Sequence, residues 1–313
     1  GLYDFKGASF TVSEQSANSI TLVANIDNKL EIHPRYTISQ ELKGPAPYLI
    51  RHELDFRNLT DQAISTSNFR MNIGTFDPTG QQGEMYLTFG YDDGEDQDFF
   101  ASTKFQDSNF IVFSSEAEEK LEEKANIRWA SMKNQFFLTI LTPDDEGTGF
   151  LSLPVPHVDP ITQEKIIGMT GYVDFDAVSI PAGSAKTLGF NFYAGPKEHD
   201  RIQKLDNNEE QAMQFGWLGW ISKGLLLLLG SLQKVVINWG LAITCLSLVD
   251  RFVLLPLNLV SSKSMKRMGI ISGPMNPLME SFPDNHQNPH QLLMARHKHI
   301  EVTPFAGSHP PQL

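Results

Sequence analysis

Two adjacent charges, Asp250 and Arg251, stand inside an otherwise apolar run, residues 235–260 (VVINWGLAITCLSLVDRFVLLPLNLV). A charge in such company is expensive in hydrocarbon, so it marks a substrate path, a partner or a route to the interface. Neighbours in a helix do not face one another, so the pair need not neutralise itself. Other concentrations of reactive side chains carry less. DDGEDQD (residues 92–98) sets five acidic groups in seven residues. That is hard-cation chemistry, but the Gly and terminal Glu of an EF-hand are out of register, and it reads as a solvated loop. His286, His290, His297 and His299 offer nitrogen donors with no identifiable supporting partners, so no metal is assigned. His52, Glu53 and His157 are acid–base types whose spacing does not show convergence. Asn58-Leu-Thr60 matches a glycosylation acceptor. The single cysteine, Cys245, allows no internal disulfide, and no zinc spacing appears. No GxSxG, HExxH, Walker or Rossmann motif is present, so we expect no catalytic residue, no metal, no cofactor and no enzymatic activity.

These groups must be held by something, and 313 residues with 41% hydrophobic and 20% charged side chains make an ordinary folded chain with room for two domains. The net charge of −12 excludes a broad nucleic-acid-binding surface. Residues 1–250 carry a net −15 and residues 251–313 a net +3, and the sign changes across the most apolar part of the chain. That is how a membrane segment with a cytoplasmic tail reads. Gly1–Phe10 has neither a basic start nor an apolar run, so no signal peptide is visible there.

Residues 1–194 read as β. Strands are expected at Ser19–Ile26, Tyr48–Phe56, Glu84–Phe89, Asn109–Phe113, Phe136–Leu141, Gly171–Phe175 and Leu188–Tyr193, with the alternation of one-sided, antiparallel sheets. Many strands with little helix between them argue for a sandwich. Helices are expected at 115–124, capped by Ser115, and from Pro196 to Leu205. Residues 207–214 (NNEEQAMQ) read as a polar hinge.

FGWLGWISKGLLLLLGSLQK (215–234) has too short an apolar core to cross a bilayer. With Trp217, Trp220, Lys223 and Lys234 it fits a helix lying in the interface. Residues 235–260 are long enough to span, with Trp239 at the entry. Lys263, Lys266 and Arg267 follow the exit and place that end in the cytoplasm, against lipid headgroups. Pro256 removes a backbone hydrogen bond, which would kink the helix or end it. The tail from Gly269 is proline-rich, with a helical stretch expected near 287–300.

GWLGWISKGLL, NWGLAI, DRFVLLPLNL and SSKSMKRM, in that order between Trp217 and Met268, resemble the YidC-family membrane protein insertases. Arg251 with Pro256-Leu257 fits the family pattern of a basic residue, a few apolar ones, then Pro-Leu. RWASMKNQFFLTILTP (128–143) and NFYAGPKEHDRIQKL (191–205) are similar to its large periplasmic domain. GPMNPLMESFPDN and HIEVTPFAGSHPPQL look like eroded parts of its cytoplasmic hairpin and of the loop before the third membrane helix.

The resemblance implies a mainly β fold: a periplasmic, galactose-mutarotase-like β-supersandwich (1–206), a hinge and interfacial amphipathic helix (207–234), one transmembrane helix (235–260) and an incomplete cytoplasmic loop (261–313). It implies an inner-membrane insertase and chaperone whose partners are nascent inner-membrane proteins, Sec translocon components, lipids and the ribosome. In the family the residue at Arg251 lines a hydrophilic groove that receives polar parts of the substrate. Asp250 departs from the pattern, and the family's first and later membrane helices are not in this sequence. The chain therefore reads as a fragment or truncated copy, not expected to insert substrates alone. The rival readings are a membrane-anchored carbohydrate-binding or sugar-epimerising β-sandwich domain, or a non-functional truncated copy, to which Asp250 and the eroded tail point.

Overall fold

The computed structural model describes residues 2–3, 8–39, 45–79, 83–110, 113–158, 163, 165–216, 219–236 and 238–272. The chain divides into two compact units, Gly1–Gln214 and Phe215–Leu313.

The first unit carries strands β1 (Thr11–Gln15), β2 (Ser19–Ile26), β3 (Leu30–Ile38), β4 (Leu49–Asn58), β5 (Phe69–Phe76), β6 (Thr88–Asp92) and β7 (Gln97–Ala101). These are followed by β8 (Leu121–Glu123), β9 (Trp129–Lys133), β10 (Phe137–Pro143), β11 (Gly149–Val158), β12 (Lys165–Phe175) and β13 (Ala185–Pro196). A nine-stranded sheet runs β1-β2-β3-β4-β13-β10-β9-β6-β7, and a four-stranded sheet runs β8-β11-β12-β5. Every pair in both is antiparallel. Side chains alternate across a strand, so each sheet turns one set of apolar side chains toward the other. Phe56, Phe89, Met132 and Phe190 of the large sheet join Ile73, Phe150, Met169 and Val173 of the small one in one core. Burying each such side chain stabilises the fold by roughly 1.5–3 kcal/mol. At Gly171 a Cβ would stand 2.8 Å from Phe89 and 3.0 Å from the Met132 sulfur. The two sheets approach there too closely for any other residue, and the β12–β5 register shifts beside it.

The opposite face of the large sheet has its own core. Trp129, Leu138, Ile140 and Tyr193 are covered there by Ile202 and Ala212, from the chain that follows β13. Two buried polar groups hold that cover. Glu209 accepts hydrogen bonds from the Thr142 hydroxyl (3.0 Å) and the Asn207 N–H (2.6 Å), and the Lys133 amine donates to the Ala212 carbonyl. Residues 207–214 are thus part of the first unit and not a hinge.

Two expected helices are corrected. Residues 113–115 and 121–123 are strand, with Leu121 buried and paired to Ser152. The expected helix would have stacked like charges at three- and four-residue steps, which destabilises it. Pro196 ends β13, and the helix after it is a single turn, His199–Ile202. Residues 83–86 are a 3-10 turn rather than the start of a strand.

The second unit contains two helices, α1 (Gly219–Val236) and α2 (Trp239–Ser272). Val235 and Val236 close α1, so α2 starts four residues later than expected and continues past Val260.

Candidate functional site

α2 begins where Asn238 caps it, its side-chain oxygen accepting from the Leu241 N–H at 3.2 Å and its carbonyl from the Ala242 N–H at 3.0 Å. Residues Trp239–Pro256 have a mean hydropathy of 1.5 and are long and apolar enough to cross a membrane. Only 6% of that stretch is buried within the chain. An apolar helix turned outward along its length needs an apolar surrounding. Its hydroxyls are satisfied internally, Thr244 on the Gly240 carbonyl and Ser247 on the Ile243 carbonyl, as a segment without water requires.

Ala242, Cys245, Leu246, Asp250 and Leu254 form the less exposed stripe of α2, at steps that return to one helix face. Asp250 lies on that stripe. Arg251, about 100° further round, is exposed among the exposed side chains of Leu248, Phe252 and Leu255. The helix runs unbroken through Pro256. Trp220 near the start of α1 and Trp239 at the start of α2 are both exposed, at 74% and 58%. Lys223 places its amine 5.8 Å from the Phe215 ring centroid, and Lys234 stands in the last turn of α1. Trp217 lies outside the described residues. Lys263, Lys266 and Arg267 lie on α2, with their side chains outside the described set. The tail histidines and the expected 287–300 helix are likewise outside it.

The first unit disposes of several rival sites. His52 and Glu53, adjacent on β4, point to opposite faces of the sheet and do not converge. His52 stacks on Tyr36 with ring centroids 4.3 Å apart, and burial pushes its pKa down to about 4. His157 is on β11, its side chain outside the described set. Asn58 is buried, and its amide nitrogen donates to the carbonyls of Gln62, Ile180 and Pro181 at 2.7–3.0 Å, so it is a structural lock and closed to a glycan. In the acidic loop Asp93 accepts the N–H groups of Glu95 and Asp96, which holds its carboxyl below the usual range. Asp92 is taken up by the Gly94 N–H and the Gln97 amide. No acidic, His and Cys cluster able to hold a metal occurs among the described residues.

Residues 2–228 match the family model of the YidC periplasmic domain, and residues 231–312 match that of the 60Kd inner membrane protein. The membrane protein insertase YidC of Haemophilus influenzae is 30% identical over 198 residues, 63% of this chain and 35% of the relative. That of Methylobacillus flagellatus is 26% identical over 284 residues, 91% of this chain and 48% of the relative. The chain thus spans between a third and a half of these relatives. Among solved structures, a galactose mutarotase related enzyme from Lactobacillus acidophilus is 10% identical at a TM-score of 0.40, over 60% of this chain and 72% of that one. Since the periplasmic-domain match alone takes in well over half of the residues and the inner-membrane match takes up where it ends, the chain belongs to the YidC family.

Proposed function

We propose that this chain supplies the periplasmic domain and the first part of the membrane core of an insertase that places nascent inner-membrane proteins into the bilayer, with or without the Sec translocon. The observation that carries the reading is Arg251, an exposed cation among exposed apolar side chains and the one basic residue of the Trp239–Pro256 stretch, which is fit to span a membrane. A positive charge in a wet, low-dielectric groove draws an acidic or polar segment part-way in. The apolar part of the substrate then moves into lipid along the apolar face of α2, and no nucleotide is consumed.

In this reading residues 1–206 and the cover that follows them lie in the periplasm, α1 lies in the interface, α2 crosses, and residues 261–313 are cytoplasmic. Trp217, Trp220 and Trp239 anchor the interface. Lys263, Lys266 and Arg267 set the topology and meet anionic headgroups or a docked ribosome. Pro256 opens the groove by loosening the helix at its cytoplasmic half. Asp250, on the less exposed stripe of α2 about 100° round from Arg251, is near enough to weaken the positive charge that Arg251 presents. The test is insertion of a substrate with an acidic periplasmic tail, read by protease protection, in cells depleted of their own insertase and supplied with the full-length protein. Insertion should fall in the order Arg251→Lys, Arg251→Ala, Arg251→Glu. Equal insertion by all three would remove Arg251 from the mechanism.

A further inference from the structure

The registers of the large sheet sort its turns into two ends of opposite character. β6, β9 and β10 are neighbours of five to seven residues, so their two ends stand about 17–23 Å apart. Asp92 pairs with Trp129, and Ala130 with Leu141, so the turns 93–96 and 144–146 lie at one end. They carry Asp93, Glu95, Asp96, Asp144, Asp145 and Glu146. Lys133 pairs with both Thr88 and Leu138, so residues 85–86 and 134–137 lie at the other end. There Met85, Tyr86, Phe136 and Phe137 are 69%, 47%, 56% and 55% exposed. The charges beside them nearly balance: Lys197, whose N–H donates to the Phe136 carbonyl, Glu84, and the paired Arg201 and Glu198.

We propose that this end of the first unit is a membrane-docking surface, with Met85, Tyr86, Phe136 and Phe137 inserted at the headgroup level of a lipid bilayer. Three features select lipid as the occupant. The side chains stand at two separate turns, which suits a soft interface better than a flat protein face, with Tyr86 as the amphipathic aromatic that favours headgroup depth and Met85, Phe136 and Phe137 as the apolar contacts. At the far end Arg51 pairs with Asp144 and Arg128 stands 3.8 Å from Asp92, but Asp93, Glu95, Asp96, Asp145 and Glu146 leave an acidic excess that an anionic leaflet repels, which orients the unit with its apolar end inward. The chain also leaves the unit toward this end, since Glu209 sits beside Thr142 near the acidic end of β10 while Ala212 sits beside Lys133 at the apolar end. Four exposed large side chains on one end of nearly balanced charge would be a solubility defect without such a partner. The role is independent of Arg251, so the insertion test above can fail without touching it.

The experiment uses the whole chain in nanodiscs, in a Cys245→Ser background. Phe136→Cys or Met85→Cys carries an environment-sensitive fluorophore, and Asp145→Cys carries it at the acidic end. Labels at 136 and 85 should emit to the blue, lose intensity with doxyl-labelled lipid and resist aqueous iodide. The label at 145 should do the reverse. Iodide quenching at 136 and 85 with no effect of doxyl lipid would overturn the proposal. Resistance to both quenchers there would overturn it equally, because a protein partner or a second copy would then be the cover.

Discussion

Among single residues of the first unit, Lys133 carries a large electrostatic cost. Its amine is buried, donates to the Ala212 carbonyl and lies 4.7 Å from the centre of the Phe99 ring. Burial, with Lys197 nearby, pushes its pKa down to about 6. A free lysine titrates near 10.4, so between these values the unfolded chain holds one more proton than the folded one. The Lys133 contribution to stability should therefore rise with pH across that window, by at most about 1.4 kcal/mol per pH unit, and level off below pH 6, where the buried His52 carries a separate slope. Urea unfolding of the detergent-solubilised chain at pH 7, 8 and 9 reads this slope, and Lys133→Met should flatten it. An unchanged slope would show that another group carries the proton. Asn58 makes the complementary case, of polarity well satisfied. Asn58→Ala strands the buried carbonyl of Ile180 and removes the bonds to Gln62 and Pro181, and should cost about 1–3 kcal/mol in the same unfolding measurement.

At the scale of elements, the sheets meet at one contact that has no slack. Gly171→Val would drive two methyl groups into Phe89 and Met132, and overpacking of this kind costs about 1–3 kcal/mol. Thermal unfolding should show a lower midpoint, while Gly183→Ala, at an open turn, reports only the strain of its positive φ. Which elements were legible follows from the same local physics. β2 is found where its run of β-branched and apolar residues predicts it, and β4, β10 and β13 contain the expected cores with ends shifted by one to three residues. β3 and β11 escape sequence reading because Pro34, Pro154 and Pro156 interrupt them. Pro34 falls where β2–β3 pairing lapses between Thr21/Arg35 and Ala24/Ile32, and β11 has a second neighbour only over residues 150–152. Each proline sits where a ladder can spare an N–H. Arg251 stood out because a charge in an apolar run needs no tertiary context to be noticed. The apolar tips at Met85–Tyr86 and Phe136–Phe137 did not, because only strand pairing brings two distant turns to one end.

At the scale of the whole molecule, the boundary between the units decides what the β domain needs in order to stand alone. Composition sets it at Asp206, since NNEEQAMQ is polar and looks like linker. The fold sets it at Gln214, since Glu209 and Ala212 are buried against the outer face of the large sheet. A chain cut at 206 keeps every strand but exposes part of the cluster of Trp129, Ile140 and Tyr193. It also leaves the Thr142 hydroxyl and the Lys133 amine without partners. Water can reach both groups in the cut chain, so the loss should lie near the low end of about 1–3 kcal/mol for each polar group, plus the apolar surface uncovered by Ala212 and Met213. Residues 1–214 should therefore unfold in one transition, and residues 1–206 should unfold at distinctly lower urea with brighter binding of a hydrophobic dye. Lys133→Met should narrow the difference, because it removes the buried amine that the cover satisfies. Equal midpoints for the two fragments would return residues 207–214 to the role of a linker, and the direction in which the chain leaves the β domain would lose its structural basis.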